Sequence, residues 1–157
     1  MTAVPEPGSL VVREATLHDL DAVLALQRED SFNAFSEPDH VSANQRAAFA
    51  EIDADPQQQL LVGTLDERVV TTAQVTWIRM LSADGGLYCQ VEAVRTASDL
   101  RGRGIGAQLM AVIEAEARRR GAARIQLTSN QRRADAHRFY ERLGYEPTHV
   151  GMKKYLT

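Results

Sequence analysis

The segment that most restricts the fold is Arg101-Gly102-Arg103-Gly104-Ile105-Gly106, in which three alternating glycines stand between a β-rich run and an amphipathic one. Leu87 to Thr96 ahead of it is dense in strand formers. Behind it Ile105, Leu109, Val112 and Ile113 recur at helical spacing until Gly121 closes the run. A strand that turns through glycines into a helix offers free backbone N–H groups and the positive end of the helix dipole to whatever lies above the turn. The fitting ligand is an anion, above all a phosphate. A tight strand-to-helix turn with no ligand is the alternative reading of the loop alone. A P-loop is excluded, because Gly106 leads into Ala107-Gln108 and the Lys-Ser/Thr pair is missing. A dinucleotide fingerprint fits poorly, since it spaces its last two glycines three residues apart and opens the first βαβ unit.

Around this loop the hydrophobic period alternates between helix and strand. Leu10 to Arg13 reads as a short strand ending at Thr16-Leu17-His18-Asp19, a helix start with Asp19 at the dipole's positive end. Leu20, Val23, Leu24 and Leu26 continue that helix to about Asp30, Ser31 to His40 is a loop, and a second helix spans Ser42 to Asp53 with Pro56 beyond it. Leu60 to Thr64 and Val69 to Trp77 form a hairpin across Asp66-Glu67-Arg68, and Asp84-Gly85-Gly86 turns into the next strand. After the loop and its helix come a strand at Arg124 to Thr128, a helix at Arg132 to Leu143 ended by Gly144, and a last strand at Thr148 to Tyr155. The expectation is an α/β unit whose early strands are antiparallel, with residues 1–9 a flexible tail and 10–157 one domain.

Composition narrows the partners. A chain of 157 residues with 44% apolar and 25% charged residues suits a single globular core. Eighteen Lys+Arg against 21 Asp+Glu give a net charge of −3, which argues against dominant nonspecific contact with nucleic acid. Three of those cations, Arg95, Arg101 and Arg103, nevertheless gather at the strand-loop junction. No stretch reaches the roughly 18 apolar residues of a membrane span, and Met1 to Gly8 lacks the basic flank and apolar core of a signal peptide. A lone cysteine, Cys89, cannot form an internal disulfide, so a reducing, cytoplasmic setting is expected. Cys89 has no nearby His or Asp in sequence and reads as a buried thiol.

The pattern Arg101-x-x-Gly104-x-Gly106 after a strand, then a strand at Ile125 to Thr128, then Ala136-His137-Arg138-Phe139-Tyr140 and Leu143-Gly144-Tyr145, resembles the GCN5-related N-acetyltransferase (GNAT) superfamily. The resemblance is sharpest from Val91 to Tyr145. It implies an acyl-CoA N-acyltransferase fold, with a mixed sheet of six to seven strands splayed between strands 4 and 5 and about four flanking helices. It also implies transfer of an acetyl group from acetyl-CoA to a primary amine by direct attack, without a metal.

On this resemblance, Leu100, Arg101, Gly102, Arg103, Gly104, Ile105 and Gly106 would wrap the pyrophosphate of CoA, while strand-four backbone at Val94, Arg95 and Thr96 would pair with the pantetheine arm. Tyr140 would protonate the departing thiolate and also contact the cofactor; its alternative is a packed aromatic. A phenol with a pKa of about 10 is protonated at neutral pH and can serve as that acid. Phe139 and Tyr145 would belong to the core. An alkylammonium must lose a proton before attack, and Glu92 is the candidate base, with a structural ion pair or a solvated carboxylate as the alternative. Period-two alternation would put Glu92, Val94 and Thr96 on one sheet face. Asn130 is a further cofactor candidate, displaced because Arg133 stands where many members carry asparagine, and Ser98 replaces a frequent proline.

The run from Ser129 to Tyr140 is similar to that of aminoalkylphosphonate N-acetyltransferases, which would suit an anionic or zwitterionic small amine held by Arg132, Arg133 or Arg138. A solvated helix face is the competing reading of those arginines, and a structural hydrogen bond that of His137. Polyamines and amino-acid-like amines belong to the same acceptor range. Peptide acetylation, or a CoA-binding module without catalysis, is the rival function. A homodimer stays open, because no sequence feature locates an interface.

Overall fold

Four strands, β1 (Val11–Glu14), β2 (Gln58–Leu65), β3 (Arg68–Arg79) and β4 (Leu87–Thr96), form an antiparallel meander in which each pairs with the next. The β2–β3 turn is the two-residue hairpin Asp66-Glu67, both with left-handed φ (45° and 67°), which matches the twist of the flanking strands. The computed structural model describes residues 8–29, 32 and 38–156, which belong to two units, Met1–Gln126 and Leu127–Thr157. Residues 1–7 of the expected tail, Asp30 at the expected end of the first helix and most of the Ser31 to His40 loop lie outside the described residues.

The fifth strand, β5 (Ala122–Leu127), lies beside β4 at the sheet edge. Arg124 stacks on Tyr88 with 4.0 Å from guanidinium carbon to ring centroid, and Gln126 bonds Gln90 at 2.7 Å. Both contacts advance two residues in the same direction along the two strands, so β5 runs parallel to β4 and makes the sheet mixed. In this register β5 is spent at Leu127, level with Val91, and β4 continues past it through Glu92 to Thr96.

Among the described residues the sheet therefore has five strands, fewer than the six to seven expected. The stretch from Thr148 to Tyr155, expected as the last strand, joins no ladder. Strand formers such as Thr148, Val150 and Tyr155 favour an extended backbone, whereas a strand needs a partner's N–H and C=O groups.

Helices cover both faces of the sheet. α1 (Leu20–Arg28) follows a single 3-10 turn at Leu17–Asp19, and α2 (Ala43–Ala54) starts with a reciprocal cap between Ser42 and Gln45 (3.0 and 3.1 Å). Together they cover Leu60 and Val62 of β2, packing Leu20, Val23, Leu24, Val41 and Phe49 there. The segment Ser82–Gly85 is one helical turn, α3, in which Ala83 and Asp84 adopt left-handed φ. On the opposite face α4 (Ile105–Arg119) buries Ile105, Leu109, Met110, Ile113 and Ala117 against β3 and β4. Each fully buried aliphatic side chain there contributes about 1.5–3 kcal/mol. α5 (Ala134–Arg142) belongs to the second unit. Among the described residues no helix is long and apolar enough to cross a membrane.

Candidate active site

The glycine loop grows out of a fixed point. Ala97, 1% exposed, donates its N–H to Val70 O (2.8 Å) and packs with Leu26, Val70 and Ile105, which locks the exit of β4. The chain then makes one 3-10 turn, Ser98–Leu100, and reaches Gly102 and Gly104 at φ 76° and 77°. A Cβ at Gly104 would meet nothing within 4 Å, so the glycine answers to its left-handed φ and not to crowding. Gln108 makes the first helical bond back to Gly104 O (3.0 Å), which leaves the amides of Ile105, Gly106 and Ala107 directed along the axis of α4 toward the loop.

Charge around the loop is partly compensated. Arg68 grips Asp99 with two bonds of 2.8 and 2.9 Å, and Arg101 lies 3.6 Å from Glu29, whose carboxylate also accepts Ser98 N–H (3.0 Å). Arg103 adds to the field that, behind the Arg68 hydrogen bond, holds Asp99 below the usual carboxylate range. Three guanidiniums and two carboxylates leave a positive surplus beside free amides, and this fits a phosphate group. The roles of Arg68, Asp99 and Glu29 were not visible in the sequence, because they reach the loop from β3, from its own first turn and from the end of α1.

Strand β4 carries an irregularity just before the loop. Thr72 pairs with Arg95 and Gln74 with Glu92, so Ala73 alone on β3 opposes both Ala93 and Val94. Ala93 takes φ 52°, a conformation that costs a non-glycine residue on the order of 1–2 kcal/mol. This bulge corrects the expected strand parity. Through their pairing with Gln74 and Thr72, Glu92 and Arg95 share a face, whereas Thr96 pairs with Thr71 on the other face, beside Val91 and Val75. Arg95 folds back on Val94 O (2.8 Å), and Thr71 Oγ1 donates to Arg95 O (2.7 Å).

Glu92 is exposed, and its Oε1 accepts Gln90 Nε2 at 2.9 Å. Cys89, three residues back on the α4 face, is fully buried, and burial pushes its thiol up to about 11. At neutral pH it is an inert thiol, as its sequence context suggested.

In the second unit, α5 carries Phe139 and Tyr140, and Gly144 at φ 88° ends the helix. That turn bonds Tyr145 N to Tyr140 O (3.0 Å) and brings the Tyr145 ring edge-on to Tyr140 at 5.7 Å, with Phe139 edge-on at 5.0 Å. The spacing Phe-Tyr-x-x-x-Gly-Tyr thus has a local cause: a helix end that holds one tyrosine between two aromatic rings. Asn130 shapes the entry to α5, accepting Arg132 N on its side chain (3.0 Å) and Arg133 N on its carbonyl (2.9 Å). His137 Nε2 lies 2.9 Å from that same carbonyl and donates to it, the structural role expected of it. Arg138 pairs with Asp135 one turn away on the exposed helix face. Among the described residues no group of three or more His, Cys, Asp or Glu could hold a metal ion.

Comparison with known proteins assigns the family and agrees with the fold. Residues 20–145 match the acetyltransferase (GNAT) family. The chain is 31% identical over 150 residues to the aminoalkylphosphonate N-acetyltransferase of Salmonella typhimurium, covering 92% of this chain and 90% of that one. Its fold matches a crystal structure described as a transcriptional regulator from Bacillus halodurans, with TM-score 0.90, 35% identity and coverage of 94% and 100%. It also matches an aminoglycoside N-acetyltransferase solved with CoA, with TM-score 0.77 and 98% of both chains covered; at 16% identity that likeness is one of fold. The chain belongs to the GNAT family and is an acetyl-CoA-dependent N-acetyltransferase.

Proposed function

We propose that the chain acetylates the primary amine of a small molecule that also carries an anionic group, with an aminoalkylphosphonate as the leading acceptor. The acceptor class is supported by the similarity to the Salmonella enzyme, which extends over nine tenths of both chains. The mechanism rests on one observation, an exposed Glu92 immediately before a bulge on the strand that feeds the glycine loop. Leu100 to Gly106 hold the pyrophosphate through backbone amides, with Arg101 and Arg103 balancing its charge. Val94, Arg95 and Thr96 pair with the pantetheine arm, and the bulge supplies a backbone N–H near Val94 to the thioester carbonyl.

Glu92, directly or through a water, takes a proton from the ammonium. The freed nitrogen lone pair then forms the C–N bond, and the C–S bond breaks with its electron pair leaving on sulfur. The acetylated nitrogen gives up its second proton to solvent, from which the Tyr140 phenol is regained after it acts. Tyr140 gives its phenol proton to that thiolate and Asn130 contributes to cofactor binding. The deciding experiment measures free thiol released from acetyl-CoA across aminoalkylphosphonates, polyamines, amino acids, aminoglycosides and peptides. Preferred turnover of an aminoalkylphosphonate is expected; preference for a peptide N-terminus would replace the small-molecule reading with protein acetylation.

A further inference from the structure

A chain of hydrogen bonds runs across the β4–β5 pair and ends on Glu92. Arg124 Nε donates to Gln126 Oε1 (2.9 Å), Gln126 Nε2 donates to Gln90 Oε1 (2.7 Å), and Gln90 Nε2 donates to Glu92 Oε1 (2.9 Å). A glutamine amide can in principle be turned either way, but here neither can. A guanidinium has only donors, so Gln126 must present its oxygen to Arg124 and its NH2 to Gln90. Gln90 must then present its oxygen to Gln126 and its NH2 to Glu92, and an ionised carboxylate, which only accepts, closes the series. The stacking of Arg124 on Tyr88 holds the donor end in place.

We infer that Gln90 is a positioning residue for Glu92, oriented by Gln126 and Arg124, which fixes one carboxylate oxygen and leaves Oε2 aimed for proton transfer. This rests on the reading of Glu92 as the base. A lone glutamate on an exposed strand face samples several rotamers, and only some bring an oxygen to the attacking amine. A bond to a charged acceptor, polarised by two further donors, selects among them. None of the three supporting residues touches the reacting atoms.

The test is a kinetic cycle with acetyl-CoA and the amine that the acceptor screen turns over fastest. Gln90→Leu is expected to lower kcat about ten-fold with acetyl-CoA KM within about two-fold. Gln126→Glu keeps the side-chain size but places an acceptor opposite Gln90 Oε1, and it should lower kcat to a similar extent. In a Glu92→Ala background, itself down about a hundred-fold or more, Gln90→Leu should have no further effect, because nothing is left to position. If Gln90→Leu costs the same in both backgrounds, its role is packing and the inference fails. It also fails if Gln90→Leu and Gln126→Glu retain full turnover while Glu92→Ala collapses, an outcome that leaves Glu92 as the base. Full turnover of Glu92→Ala would instead remove the base assignment itself, and the inference with it. Thermal melts of each variant separate misfolding from loss of positioning.

Discussion

Arg13 and Asp19 meet as a two-pronged ion pair, Nη1 to Oδ2 at 2.7 Å and Nη2 to Oδ1 at 2.9 Å, where β1 gives way to the first helical turn. The same carboxylate accepts the Thr16 amide at 2.7 Å, so one nearly buried side chain ties the strand end and caps the helix entry. The Arg13 hydrogen bond, aided by Thr16, outweighs burial and holds the Asp19 carboxyl down at about 2. Its folded pKa lies below its unfolded one, so the stabilisation is complete above pH 4 and disappears as pH falls from about 4 to about 2. With Arg13 42% exposed, solvent screening leaves a contribution of about 1–2 kcal/mol. Asp19→Asn should lower Tm at pH 7, and melts taken down to pH 2.5 should show the gap to the parent closing. A gap that stays constant with pH would mean the pair contributes nothing through charge.

Gly104 and Gly121 sit at opposite ends of α4 with nearly the same backbone, φ 77° and 68°, and open space where a Cβ would go. Alanine at either site should therefore cost a similar 1–2 kcal/mol or so of stability, read from urea midpoints. Only Gly104 lies in the proposed phosphate cradle, so Gly104→Ala should also raise the KM for acetyl-CoA several-fold while Gly121→Ala leaves it unchanged. Equal KM values in the two variants would move the phosphate away from this loop.

The buried thiol gives a third expectation. Cys89 is 0% exposed and its pKa is raised to about 11, first by desolvation, so almost none of it is thiolate at pH 7.5. Native protein should react with a disulfide exchange reagent far more slowly than denaturant-unfolded protein, and Cys89→Ala should retain acetyl transfer. Rapid labelling of the native state would show that β4 opens locally on the side facing α4.

What was legible in the sequence had local causes. The helix beginning at Ser42, the hairpin at Asp66-Glu67-Arg68, the glycine loop and the Gly144 helix end each follow from residues within a few positions, and the structure places them where the chemistry of those residues requires. The features that escaped are set by pairing between distant segments. Nothing in Glu92-Ala93-Val94 announces a bulge, since alanine rarely takes a left-handed φ, and one extra residue there reverses the face of everything after it. Gln90 and Gln126 look like ordinary polar strand residues until the parallel register of β4 and β5 joins them. Thr148 to Tyr155 failed for the converse reason: it has strand-forming residues and no ladder.

Tyr140 supplies the sharpest test of the chemistry. Its ring is held edge-on by Phe139 and Tyr145, contacts that a phenylalanine would preserve, so Tyr140→Phe should melt within a few degrees of the parent. The lost group is the phenol proton. A CoA thiolate that departs unprotonated leaves a full negative charge beside the product, and a donor poised at the sulfur lowers that barrier as the C–S bond breaks. A thiol of pKa about 8.5 is a fair leaving group even without assistance, which sets the expected loss in kcat near the lower end for general acids, about a hundred-fold. Acetyl-CoA affinity, measured by calorimetry without acceptor, should change little, because the hydroxyl acts on charge that appears only during transfer. Unchanged turnover in Tyr140→Phe, with the fold intact, would assign the proton to solvent and leave this ring a packing role.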